Sequence, residues 1–136
     1  MAFPPDNESS WASVLAFIDE YPEDANWSDW KRIALRIIRQ LQSLGATSMF
    51  RVGQSMHHIV FSTLQHHGLS SEARVTIEID GATQRVRVAH GYGNLWFSTP
   101  TKQVTCPSDD VMNALTQYLR ELWLETKAAP LPHELR

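Results

Sequence analysis

Histidine is the residue type in this sequence with the widest range of chemistry, and four of the six histidines form two adjacent pairs. The pairs are His57-His58 and His66-His67, on either side of an apolar run. A zinc site needs three or four ligand atoms about 2.0 to 2.3 Å from the ion, supplied from one side of an element. Neighbouring residues on a strand point to opposite faces, and on a helix these pairs lack the i, i+4 spacing of a two-histidine ligand set. The spacing therefore predicts no metal site, and no other motif indicates a cofactor.

Cys106 is the single cysteine and the best candidate nucleophile. It precedes a predicted helix N-terminus, a position that can lower a thiol pKa, and His90 and Asp109 are conceivable partners for nucleophilic catalysis. No motif links these three residues, and a lone buried cysteine is commonly unreactive. We therefore predict an unreactive thiol and assign no catalytic residue.

A polar pocket between helices and sheet is the alternative that leaves room for catalysis or ligand binding. Its candidate residues are of types that recognise polar ligands: His57, His58, His90, Tyr92 and Trp96. Such a pocket predicts a small enzyme or a ligand-binding domain, provided that histidines meet a carboxylate or a tyrosine in one concave site.

Charged residues are unevenly distributed along the chain, although the net charge is only −3. Seven acidic residues precede the first basic residue, Lys31, and a run of bases without an acid then extends to Arg51. Within that run Arg32, Arg36 and Arg39 lie at i, i+4 and i+7, on one side of a helix. This spacing predicts a surface that binds a partner protein through carboxylates. The alternative is that acids and bases pair with one another on solvated faces, and a pI near 6.0 argues against nucleic acid as the partner.

Two N-terminal helices are predicted from apolar residues that recur every three or four positions. The first helix begins after Ser9 or Ser10, either of which can cap it. Its apolar face consists of Trp11, Val14, Leu15 and Ile18. The second begins with Asn26 or Ser28 as N-cap and ends at Gly45. Its apolar face consists of Trp30, Ile33, Ala34, Ile37, Leu41 and Leu44.

A third helix is predicted near the C-terminus. Ser108 can cap it, Asp109 and Asp110 suit its first turn, and it extends to about Glu125. Its apolar face consists of Val111, Met112, Leu115, Leu119 and Leu122.

Between the second and third helices the pattern changes to alternation, which is typical of strands. Short strands are predicted over residues 49–53, 59–63, 95–99 and 102–106. Residues 56–64 are also compatible with a helix, and the sequence leaves that choice open.

The clearest strand signal is a hairpin over residues 74–90. Because opposed residues must share a face, its loop must contain an even number of residues. A two-residue turn at Gly81-Ala82 is predicted to set Ile77 opposite Val86 and Glu78 opposite Arg85. A turn at Asp80-Gly81 keeps the same parity but matches the side chains less well. The apolar face is expected in the core and the polar face, with Thr76, in water.

Together these elements predict a single domain over residues 1–136, with flexible tails at 1–8 and 127–136. The fold class is α+β: two N-terminal helices, an antiparallel meander of four or five strands, and a C-terminal helix packed on the sheet. The sequence shows no membrane span or signal peptide, so a cytoplasmic location is expected. We predict a non-catalytic protein-interaction domain, an adaptor, secretion chaperone or immunity-type inhibitor, that is a monomer or a homodimer.

Overall fold

The computed structural model describes residues 6–22, 27–55, 58–63, 73–92 and 100–127. Its helices are α1 (Asn7–Asp19), α2 (Ser28–Ser43) and α3 (Val111–Lys127), with a single 3₁₀ turn at Ala46–Ser48. Its strands are β1 (Arg51–Ser55), β2 (His58–Ser62), β3 (Ala73–Asp80), β4 (Arg85–Tyr92) and β5 (Lys102–Pro107). The strands form one antiparallel sheet in chain order. The predicted α+β fold is therefore confirmed.

All three helices contribute side chains to one apolar core on one face of the sheet. Strand residues on this face alternate with residues on the other face, as the pleat requires. The strands contribute Val52, Ile59, Phe61, Ala73, Val75, Ile77, Ile79, Val86 and Val88. The helices contribute Trp11, Val14, Ile18, Trp30, Ile33, Ala34, Ile37, Ile38, Leu41, Val111, Leu115, Tyr118, Leu119 and Leu122. The helical faces predicted from periodicity are thus those that pack on the sheet.

The helix starts differ from the sequence predictions. Asp6 caps α1, because its carboxylate accepts the Ser9 N–H at 2.7 Å, so the helix begins earlier than the predicted serine caps and overlaps the predicted tail of residues 1–8. Trp27 is the N-cap of α2 and makes no side-chain cap bond, while Ser28 lies inside the helix. At the other end of α2, Gly45 has a left-handed φ of 79° directly after Leu44, as predicted for a terminating glycine.

The start of α3 is also later than predicted. Asp109 and Asp110 lie in the turn before Val111 and not in the first helical turn. Ser108 is buried, and its backbone N–H donates to the Gln84 carbonyl at 2.8 Å. This bond ties the start of α3 to the β3–β4 hairpin.

Residues 58–62 form a strand, which decides the choice that the sequence left open. Predicted strands at 49–53 and 102–106 correspond to β1 and β5, whereas the predicted strand at 95–99 lies outside the described residues.

The β3–β4 hairpin has the predicted parity but not the predicted register. Its loop contains residues 81–84, so Ile77 pairs with Val88 and Glu78 with Arg87. The Asp80 carboxylate accepts the N–H groups of Ala82 and Thr83 at 3.0 and 3.4 Å, a local bond that stabilises the longer turn. The predicted two-residue turn at Gly81-Ala82 was therefore wrong. It was chosen by matching the side chains of opposed strand residues, which takes no account of the hydrogen bonds that Asp80 makes within the loop.

The second face of the sheet is not simply in water. Thr76 and Arg74 are only 8% and 5% exposed, whereas Glu78, nearer the hairpin loop, is exposed. Val60 and Ala89, which pair with Thr76 on this face, are buried as well. The prediction of one solvated face on β3 was wrong at Arg74 and Thr76 and holds at Glu78.

Candidate functional sites

A cluster of hydrogen-bonded polar side chains joins the end of β4 to the end of α3. His90 and Tyr92 are two positions apart on β4, so both point to the helix-covered face. The carboxylate of Glu125 on α3 bonds both: its Oε2 lies 2.8 Å from His90 Nε2, and its Oε1 accepts the Tyr92 hydroxyl. The His90 and Tyr92 rings contact each other edge to face, with centroids 5.6 Å apart. We call these residues the His90–Tyr92–Glu125 cluster.

The hydrogen bonds that Glu125 accepts favour the ionised form of its carboxyl group. The pKa of the Glu125 carboxyl is lowered, chiefly by donation from the Tyr92 hydroxyl; burial opposes this effect, and the hydrogen bond and charge of His90 add smaller lowering effects. An ionised carboxylate only accepts hydrogen bonds, so Nε2 of His90 carries the proton that lies between them. In the neutral ring Nδ1 is then an acceptor. It is buried and has no hydrogen-bond partner among the described residues.

A second acid–base pair lies beside this cluster. Lys102, the first residue of β5, pairs with His90 across the sheet and bonds the carboxylate of Glu121 on α3. Its ammonium also lies 4.3 Å from the centre of the Tyr118 ring, within cation–π distance. The sequence analysis did not single out Lys102, Glu121 or Glu125. The sequence did contain one indication of this site. Glu121 and Glu125 are four positions apart on the predicted third helix, so both carboxylates lie on the same side of it.

The candidate pocket residues do not all meet in this cluster. His58 lies on the opposite face of the sheet, where its Nε2 is 3.1 Å from a carboxylate oxygen of Glu78. That carboxylate also accepts from Arg87 at 2.7 Å. The His90 and Tyr92 rings are in contact, whereas His57 and Trp96 lie outside the described residues.

Cys106 is placed far from the histidine considered as its partner. It pairs with Val86 on β4, whereas His90 pairs with Lys102, four residues further along the strand. Burial raises the pKa of the Cys106 thiol; the nearby Asp110 carboxylate raises it further, and Arg85 opposes both effects. Both the position and the raised pKa disfavour a nucleophilic thiolate at neutral pH.

Arg32, Arg36 and Arg39 do lie on α2, but their environments differ. Arg32 and Arg39 are exposed, and Arg32 is 3.5 Å from Asp29 one turn earlier in the helix. Arg36 bonds the Asp109 carboxylate at 3.1 Å and the Ser108 carbonyl at 2.8 Å, so it fastens α2 to the start of α3.

Two other bases of the same run do not belong to a basic surface. Lys31 is 9% exposed, and its ammonium donates to the carbonyls of Asp19 and Tyr21 at 3.3 and 3.4 Å. It therefore satisfies acceptors at the end of α1, which has no basic residue in its own last turn. Arg51 is buried as well. The exposed part of the predicted basic run is thus Arg32 and Arg39.

Comparisons with known proteins add no family to this description: no protein-family model, curated protein or solved structure matches the chain. Within the described ranges, no three His, Cys, Asp or Glu side chains come together in a way that could hold a metal ion. None of the described helices is both long and apolar enough to cross a lipid bilayer.

Proposed function

We propose that this chain is a non-catalytic protein-interaction domain of the adaptor, secretion-chaperone or immunity-inhibitor type, and that it binds its partner through the outer side of α2. One observation carries the proposal: α2 is fixed on its inner side and presents arginines on its outer side. Its core residues are buried, Arg36 joins it to the start of α3, and Arg32 and Arg39 are exposed.

This arrangement suits an acidic partner. Seven residues at about 1.5 Å per residue separate Arg32 and Arg39 by about 10.5 Å along the helix axis. Each guanidinium offers a planar fork for a carboxylate, and a buried, anchored helix loses little conformational freedom on binding. The chain has a net charge of −3, so attraction depends on this local surface and not on the overall charge.

The proposal is tested with Arg39→Glu and a charge-matched control, Arg120→Glu on α3. Partners are first captured from native cells with the wild-type chain, and association rates are then measured with the partner so identified. We expect Arg39→Glu to slow association by roughly tenfold at low salt and to weaken its salt dependence. Arg120→Glu makes the same change in net charge and should associate at the wild-type rate. Equal rates for the two variants would exclude α2 as the binding surface.

Arg36 is left unchanged in this test, because its bonds to Asp109 and Ser108 contribute to folding. A glutamate at this position would face the Asp109 carboxylate, so a triple reversal of Arg32, Arg36 and Arg39 would mix a stability effect with a binding effect.

A second candidate is a small enzyme or ligand-binding domain, and the buried Nδ1 of His90 favours it. An imidazole held by a carboxylate through one nitrogen, with the other nitrogen available as an acceptor, is the arrangement of a general base. His90→Gln separates the candidates. If the domain binds proteins through α2, this variant keeps the association rate of the wild type when its fold is intact. Retained binding by Arg39→Glu together with loss of function in folded His90→Gln would favour the second candidate.

A further inference from the structure

The two edge strands of the sheet differ in how their outward backbone groups are satisfied. At β1 the edge is closed by α1: the Ser10 hydroxyl accepts the Val52 N–H at 3.1 Å, and the Trp11 indole donates to the Phe50 carbonyl at 2.8 Å. Ser10 and Trp11 are both buried. Covering an edge in this way prevents it from pairing with another chain.

At the β5 edge, the part of the chain that the structure describes provides no comparable cover. Gln103, Val104 and Thr105 are consecutive exposed residues, and Val104 is 37% exposed. The bond from Ser108 N–H to the Gln84 carbonyl continues the β4–β5 ladder, and alternation along an antiparallel pair then turns the backbone groups of Gln103 and Thr105 outward. Among the described residues none bonds these outward groups. Pro107 has no N–H and ends the row of donors.

We propose that β5 pairs with β5 of a second copy of this chain, antiparallel about a two-fold axis at Val104, to form one continuous sheet. In this register Gln103 of each copy lies opposite Thr105 of the other, so each outward N–H meets a carbonyl. Centring the pair on Thr105 would set Pro107 opposite Gln103 and leave the Gln103 carbonyl without a donor. Centring it on Gln103 would require Thr101, whose N–H already bonds the His90 carbonyl at 2.8 Å.

Side chains at the proposed interface are compatible with self-pairing. A two-fold axis brings identical residues together, so charges at its centre would repel. Here the central residues are Gln103, Val104 and Thr105, all uncharged, and the exposed Val104 side chains would meet and bury one another. Lys102, the nearest charge on the strand, is held toward α3 by Glu121. The edge is short and neutral, which suits a second copy better than an acidic or basic peptide.

The first test is the mass of the 136-residue chain in solution, measured by sedimentation equilibrium from micromolar to millimolar concentration. We expect the wild type to dimerise and Val104→Arg to remain monomeric, because two arginines would face each other at the axis. The control is Leu124→Arg, which places the same charge at an exposed apolar position on α3 and should dimerise like the wild type. Circular dichroism establishes that each variant is folded. A wild type that stays monomeric throughout, or a dimeric Val104→Arg, would overturn the proposal.

A crosslink tests the register. In non-hydrogen-bonded antiparallel pairs the Cα atoms are about 4.5 Å apart, within the range that a disulfide bridges. Val104→Cys in a Cys106→Ser background should therefore form a covalent dimer on mild oxidation, whereas Leu124→Cys in the same background should not. If Leu124→Cys forms the covalent dimer and Val104→Cys does not, the two copies meet at another surface, and the register centred on Val104 is excluded.

Amide hydrogen exchange distinguishes the occupants of the edge. Self-pairing predicts that the Gln103 and Thr105 amides gain protection as the protein concentration rises. Protection that appears only on addition of another protein would show a heterologous strand at the edge and overturn self-pairing. The proposed dimer does not use the outer side of α2. A variant that fails to dimerise can therefore still be used to test partner binding through Arg32 and Arg39.

Discussion

Several ionisable side chains in this protein form hydrogen bonds between different helices and strands. Glu125 links α3 to β4 through His90 and Tyr92, and Lys31 links α2 to the end of α1. A histidine bonded to a carboxylate occurs both in catalytic sites and in such structural ties. The lowered pKa of Glu125 makes the structural contribution measurable.

The Glu125 carboxyl should give the stability a pH dependence in the acidic range. Its folded-state pKa is lowered, first by the Tyr92 hydroxyl, so the folded state binds this proton less readily than the unfolded state. The contribution is fully present above the ordinary carboxyl pKa and is lost as the pH falls through the lowered value. We expect Glu125→Gln to show a smaller loss of urea midpoint between neutral and acidic pH than the wild type, whereas Glu20→Gln at the end of α1 should match the wild type. Equal losses in the wild type and Glu125→Gln would contradict the assignment.

At the scale of elements, the β3–β4 loop is positioned by contact with α2. A Cβ atom at Gly81 would lie 3.1 Å from the backbone nitrogen of Trp30 and 3.5 Å from Cβ of Asp29. The loop therefore touches the first turn of α2, and a side chain at this position would press against helix backbone, which must give by a few tenths of an ångström to admit it. This contact and the Asp80 bonds together hold the observed register.

Gly81→Val should destabilise the domain by about 1–3 kcal/mol, because the added side chain forces the loop and the helix apart. Ala82→Val introduces the same side chain at the next, exposed position and should change the stability by less than about 0.5 kcal/mol. Urea denaturation of the two variants provides the comparison. A Gly81→Val variant as stable as Ala82→Val would show that the loop does not pack on α2 as closely as described.

At the scale of the whole molecule, one core connects every helix with the sheet. Ile77 is fully buried in this core, and Thr76 is buried on the other face of the same strand. The centre of β3 is therefore buried on both faces, and the exposed residues of this strand, Glu78 and Asp80, lie toward the hairpin loop.

Ile77→Asp and Thr76→Asp should each destabilise the domain by several kcal/mol, because each buries a carboxylate. Glu78→Ala should cost only about 0–1 kcal/mol, since its ion pairs are exposed. Because the core is continuous, tryptophan fluorescence and circular dichroism should report one unfolding transition in every variant that folds. A wild-type midpoint for Thr76→Asp would show that the second face is solvated at this point.

The sequence by itself determined the elements, because periodicity is local. The spacing of apolar residues predicted the buried faces of all three helices, and alternation predicted the strands and the even parity of the hairpin. These results depend on residues within a few positions of one another.

Only the tertiary structure decided how distant residues combine. Glu125 bonds His90 from 35 positions away, and Arg36 bonds Asp109 from 73 positions away; no local pattern encodes either pair. The hairpin register depended on a loop that touches α2, and the burial of Thr76 depended on neighbours across the sheet. Local sequence sets which face of an element is apolar, whereas long-range packing sets which polar groups find a partner and which remain exposed to bind one.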